Sequence, residues 1–189
     1  MTGIAIHITG DDHADRVLED SPFALLTGML LDQQFPMERA FAGPATVLER
    51  FGSLDPAEVA AADPEQFAGI VAEPPAVHRF PGSMAGKIQD VARIVVADYD
   101  GDTARLWNEA SDARELLRRI TALPGFGEQK ARIFVALLAK QCGVRPEGWE
   151  AVAGDYALEG HRSVADVVDA DSLARVRAFK KEKKAAAKA

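Results

Sequence analysis

The stretch Leu123-Pro124-Gly125-Phe126-Gly127 lies between two segments of helical periodicity, one with Leu116, Leu117 and Ile120 at core spacing, the other with Ala131, Phe134, Val135 and Leu138. Two helices meeting across so short a turn leave the first N–H groups of the second helix unpartnered, at the positive end of its dipole. Glycine at 125 and 127 permits left-handed or strained backbone and puts no side chain above the turn, so a phosphate can approach. The flanks add local charge: residues 114–145 hold Arg114, Arg118, Arg119, Lys130, Arg132, Lys140 and Arg145 against Glu115 and Glu128, a balance of +5. The same glycines also suit an ordinary αα-hairpin with solvated charges on its outer face. The turn alone leaves both readings open.

The elements that must position this turn read as helices. Ser21-Pro22, Asp55-Pro56 and Asp63-Pro64 each pair a capping side chain with proline at the first helical position. The first opens an apolar helix predicted from Phe23 to about Gln34, with Leu25, Leu26, Met29 and Leu30 spread over more than one face, hence central and buried. A helix from about Met37 is expected to break or kink at Gly43-Pro44. Short helices at 56–62 and 64–72 precede the proline-rich loop 73–82, and helix resumes from Ser83 to about Tyr99. Further helices are predicted at 103–110, 112–121 and 128–142. Only Ile4-Ala5-Ile6-His7-Ile8 reads as strand or extended chain, and one strand has no partner. The expected fold is all-α, two helical lobes with a cleft between them.

The segments this implies are an N-terminal piece at 1–20, a helical core at 21–142 ending in the hairpin at 112–142, the rest of the second lobe at 143–174, and a basic tail at 175–189. The 189 residues are 48% apolar, enough for a core, and carry a formal charge of −7. Seven Lys/Arg fall in residues 175–189 against Glu182, leaving the first 174 residues at −13. No global basic field draws in nucleic acid, so any such contact must be local. The tail offers little apolar face and is expected to fray.

The single Cys142 excludes an internal disulfide, an iron–sulfur cluster and a multi-thiolate zinc site. His7, His13, His78 and His161 match no metal spacing, and neither a Walker loop nor a dinucleotide fingerprint occurs. No metal or cofactor is expected. Absence of a signal-like start and of any apolar run of 18 residues leads to the expectation of a soluble, cytoplasmic monomer without membrane contact.

Three elements together resemble the helix-hairpin-helix base-excision glycosylase superfamily, which includes the endonuclease III and alkyladenine glycosylase types. Leu123-Pro124-Gly125-Phe126-Gly127 with its helix opening looks like the family's hairpin, Leu30-Leu31-Asp32-Gln33-Gln34 like its glutamine-bearing element, and Ser83-Met84-Ala85-Gly86-Lys87 like the segment ahead of the hairpin. Their order and spacing agree over residues 21–142, about two thirds of the chain. The resemblance implies double-stranded DNA as partner, nucleoid association when bound, and contacts from Gly125, Phe126, Gly127, Gln129, Lys130, Gln33 and Gln34. It also implies a monovalent cation at the turn carbonyls. The glutamine matching Gln34 fills the space left by a base turned out of the duplex. Trp107, Trp149, Phe35 and Phe80 are candidates for stacking on that base, or for the core.

The pattern breaks at two places. Where bifunctional members carry a Schiff-base lysine this chain has Gln129, which cannot form an imine. Lys130 is one residue on, about 100° around the helix, and is expected at a phosphate or on the surface. The family's aspartate, which stabilises the oxocarbenium-like state of N-glycosidic cleavage, falls on Glu147, with Asp155, Asp166 and Asp32 as alternatives. The leading expectation is a monofunctional DNA glycosylase. A DNA-binding relative that detects distorted duplex without cutting, and a helical protein unrelated to DNA, are the competing readings.

Overall fold

The computed structural model describes residues 5–189, and the described residues contain helices and loops with no β-strand. Part of the expected extended segment, Ile4, lies outside them. Ala5 to Ile8 run without strand partners, and their backbone is satisfied by side chains instead: Ile6 N–H donates to Glu19 Oε1 at 2.7 Å, and Ile8 N–H to the buried Asp15 Oδ1 at 3.1 Å. Both carboxylates project from α1, Asp12–Asp20. Ile6 and Ile8 are thereby anchored in the core.

The apolar helix α2, Pro22–Leu31, is capped by Ser21 Oγ accepting from Ala24 N–H, and every residue from Phe23 to Leu31 is buried. It stops three residues before the sequence predicts, because Gln33 N–H turns back to Leu31 O at 2.8 Å and Gln34 takes a left-handed φ of 53°. α3, Met37–Phe51, runs unbroken through Pro44, a correction to the expected break. Burial of Ala40, Phe41, Ala45 and Val47 holds both halves of α3 in line across the missing hydrogen bond. Close crossing with α2 is permitted by Gly28, where a Cβ would stand 2.6 Å from the Phe41 ring.

α4 (Pro56–Ala61) and α5 (Pro64–Ala72) open on Asp55 and Asp63 as predicted, each aspartate accepting from the first turn of its helix. Both pack on α6, Pro81–Tyr99. α7 (Arg105–Asn108) leads to α8 (Ala113–Thr121) and α9 (Glu128–Gln141), which carry the turn between them. α10 (Trp149–Ala153) and the 3-10 turns Gly154–Ala157 and Val164–Asp166 pack on α9, while α1 packs on α2 and α3.

The basic tail is helical rather than frayed: α11 spans Ala170–Lys188. Asp169 and Ser172 cap it reciprocally, Val176 is buried, and Arg177 pairs with Glu38 of α3. Those three anchors supply what composition alone does not. Among the described residues no helix is long and apolar enough to cross a membrane.

Candidate nucleic-acid interface

The turn is built by overlapping short hydrogen bonds, Leu123 N–H to Ile120 O and Phe126 N–H to Leu123 O, with Gly125 at φ 83° between them. A Cβ on Gly125 would also stand 2.4 Å from Leu30 Cδ1. Glycine is therefore needed both for the conformation and for close contact with α2. Gly127 has an ordinary φ of −80° and open space where a Cβ would sit, so its role is to leave the helix start uncovered. No side chain caps α9, and its first N–H groups lie beside this exposed glycine. Phe126 turns inward, 5% exposed, against Phe134, and can offer a ligand only its backbone. α8 is held by Glu115, which accepts from Ser111 N–H and from Arg119; these bonds draw its carboxyl down to about 2.

Behind the turn, four charged residues from different elements come near one another: Lys130, Asp32, Lys87 and Lys180. Lys130 Nζ donates to Leu30 O at 2.8 Å, so Lys130 is half-buried against the end of α2 and, of the two places expected for it, is not on the open surface. Burial pushes its amine down to about 8, with the Asp32 carboxylate opposing and the Lys87 ammonium assisting. Asp32, at the C-terminus of α2, has its carboxyl raised by burial, against the charges of Lys180 from α11 and Lys130 from α9. Lys87 lies along the turn, its Cδ 3.4 Å from the Cβ position of Gly125.

The loop 32–36 is locked to the loop 73–80 by one imidazole. His78 Nδ1 accepts from Phe80 N–H at 3.0 Å, which leaves the Nε2 hydrogen to donate to Gln33 O at 2.9 Å. Burial holds its pKa below the usual value and favours this neutral form. Phe35 rests on the ring at 4.9 Å and Arg39 stacks over Phe35 at 4.8 Å. Gln33 and Gln34 are exposed, Gln34 beside Arg39 and Arg79 at the rim of an open cavity.

The remaining carboxylate candidates stand elsewhere. Glu147 is exposed and its backbone oxygen accepts from Ala113 N–H, at the opposite end of α8 from the turn. Nine helical residues at 1.5 Å each separate them by about 13 Å. Asp155 is exposed in a 3-10 turn. Asp166 is half-buried and consumed: it pairs with Lys140 at 2.7 Å and accepts from Arg162 N–H at 2.8 Å. Asp32 is the one set at the turn itself, two residues past Leu30, whose carbonyl takes Lys130 and whose side chain lies against Gly125. Trp107 is core, edge-on to Phe134, and Trp149 packs partly buried against it, whereas Phe80 is 44% exposed.

Gln129 points away from Lys130, donating through Nε2 to the Tyr156 hydroxyl at 3.0 Å. The two line an open cavity of about 380 Å³ together with Phe179 and Lys180 of α11. Sequence reasoning missed Tyr156, His78, Lys87 and Lys180 as neighbours of the hairpin. Lys87 and Lys180 carried a signal, the first in the Ser83–Lys87 segment and the second in the basic tail; Tyr156 and His78 carried none.

A family model described as HhH-GPD superfamily base excision DNA repair protein matches residues 27–189. No curated protein and no solved structure gives a significant match.

Proposed function

The chain belongs to the HhH-GPD superfamily of base excision DNA repair proteins, and from that premise we propose that it is a monofunctional DNA glycosylase whose catalytic carboxylate is Asp32. Glycosylase-like action on DNA follows from the family; the reaction type and the residue assignments are the proposal. The observation that carries it is the place of Asp32 at the hairpin turn, two residues past Leu30, whose carbonyl Lys130 holds at 2.8 Å, with the charges of Lys130 and Lys180 acting on the carboxylate.

The uncapped start of α9, flanked by Gly127, takes a backbone phosphate, and Gln34 on its left-handed corner enters the gap that a displaced nucleotide leaves. In the chemical step the C1′–N bond breaks with its electron pair leaving on the base, which takes a proton from solvent that Asp32 afterwards returns. Ionised Asp32 faces the cationic sugar. Water adds through its oxygen to C1′ and passes a proton to the carboxylate, giving free base and an abasic site. Gln129 occupies the place of the family's imine-forming lysine, and its amide is engaged with Tyr156.

The test is incubation with duplexes carrying single lesions, with and without alkali. Strand breaks are expected only after alkali, and borohydride is expected to trap no adduct. A trapped adduct lost in Lys130→Met would replace the monofunctional reading with a lyase. Lesion-selective binding without release of any base would establish the non-catalytic relative instead.

A further inference from the structure

The cavity behind Gln129 carries a charge pattern that bears on which base is taken. Its walls include Arg162, Lys180, Lys183 and Lys184, and no carboxylate lines it. Its apolar surfaces include Phe179 and the Tyr156 ring. Arg162 and Lys183 both approach the Phe179 ring, at 6.0 and 5.7 Å, so the cations are gathered around a flat surface rather than scattered. The Tyr156 oxygen accepts from Gln129, which leaves the phenol hydrogen free to donate. At about 380 Å³ the space suits one ring system with its sugar. It opens beside the hairpin, because Gln129 in the first turn of α9 forms one wall, and Lys180 on another wall is a residue whose charge also acts on Asp32.

Resting on the glycosylase reading, we propose that this cavity receives the displaced base and selects oxidised bases, rich in exocyclic carbonyl oxygens or carrying negative charge, over cationic alkylated bases. The rings of Tyr156 and Phe179 stack on any base. The surrounding ammonium and guanidinium groups and the phenol hydrogen are donors that match carbonyl oxygens and enolate-like charge. A base with a fixed positive charge meets four like charges. Each disfavours it about twofold at roughly 8 Å in water-like surroundings before salt, and after screening the four together leave about fourfold, to which the donors matched to carbonyl oxygens add. Three of the four cations lie on α11, so the C-terminal helix is the specificity element of the site.

The experiment compares otherwise identical duplexes holding 5-hydroxyuracil or 7-methylguanine, measuring both affinity by fluorescence anisotropy and base release. The variant is the double substitution Lys183→Gln, Lys184→Gln, at exposed positions of α11. The expected result is at least a tenfold preference for 5-hydroxyuracil, reduced several-fold in the variant. Equal treatment of the two lesions, or preference for 7-methylguanine, overturns the inference while any base release leaves the glycosylase reading intact. A variant that loses affinity for both duplexes equally also overturns it, since the lysines would then hold only backbone phosphate. If neither base is released but the binding preference and its loss in the variant are seen, the selectivity stands and the glycosylase reading fails.

Discussion

Lys130 Nζ donates to the carbonyl of Leu30 at 2.8 Å, joining residues 100 positions apart. The bond ties the first turn of α9 to the last turn of α2 and places an ammonium where burial resists it. The same contact gives the carbonyl at a helix end a charged donor, which helix termini otherwise lack.

Lys130 therefore makes stability depend on pH. Its amine titrates near 8 in the folded protein against the ordinary 10.5, so the unfolded chain holds more protons between those values and stability rises with pH across them. The full penalty, about 2 kcal/mol after discounting for partial exposure, applies below about pH 8. Lys130→Met is expected to flatten the rise, measured as urea midpoints from pH 7.5 to 9.5. An unchanged slope would assign the rise to other groups.

Gly125 and Gly127 are expected to respond oppositely to substitution. Gly125→Ala forces a left-handed residue against Leu30 and should cost about 2 to 3 kcal/mol of stability. Gly127→Leu has room and should leave the thermal midpoint within a few degrees, yet weaken DNA binding tenfold or more by covering the helix start. Equal affinity of Gly127→Leu and wild type in low salt would remove the hairpin from DNA recognition.

For catalysis, Asp32→Asn is expected to slow base release by about 10² to 10³ with binding largely kept. Glu147→Gln, at the end of α8 away from the turn, should leave the rate unchanged. Because burial raises the Asp32 carboxyl, the rate should fall on acidification at a higher pH than an ordinary aspartate sets, and that limb should vanish in the variant. Single-turnover rates from pH 4.5 to 8 decide this.

His78→Ala removes the Nε2 bond that joins the loops 32–36 and 73–80, and the Nδ1 bond that shapes the second loop around it. Since burial depresses its pKa, the imidazole supports the fold fully above about 6.5 and loses that contribution as pH falls through the lower folded value. The variant should bind lesion duplex several-fold more weakly at neutral pH and lose the wild type's weakening in acid. Calorimetry and anisotropy at pH 5.5 and 7.5 test both parts.

Deleting residues 180–189 removes five lysines and Glu182 from α11. The slope of log Kd against log salt should shrink by about one for each phosphate that the shortened helix no longer neutralises. An unchanged slope would show that the tail lysines do not touch the DNA backbone.

Much of the scaffold was legible because it rests on local chemistry. Ser21, Asp55 and Asp63 cap the helices they precede, and the Leu123–Gly127 turn sits where its glycines place it. Pro44 misled because its local penalty is outweighed by burial on both sides, a tertiary effect that spacing does not report. The site was harder. Counting along the chain from Gln129 leads to Glu147, but the path after α9 carries that residue to the far end of α8. Asp32, Lys130 and Lys180 meet only because helices from three parts of the chain pack together, and no window of sequence contains all three. The basic tail looked solvated because its few anchors, Val176 and Arg177 among them, find partners on distant elements.

The close seating of Gly125 on Leu30 turns two surfaces into one instrument. The helix start that would grip a phosphate and the glutamine corner that would enter the duplex are joined through α2, two residues of chain and a side-chain contact. Such a body behaves as a calliper. It holds a fixed span between backbone and base stack, so an intact duplex whose spacing differs must deform to fit, and a duplex already slackened by damage fits at less cost.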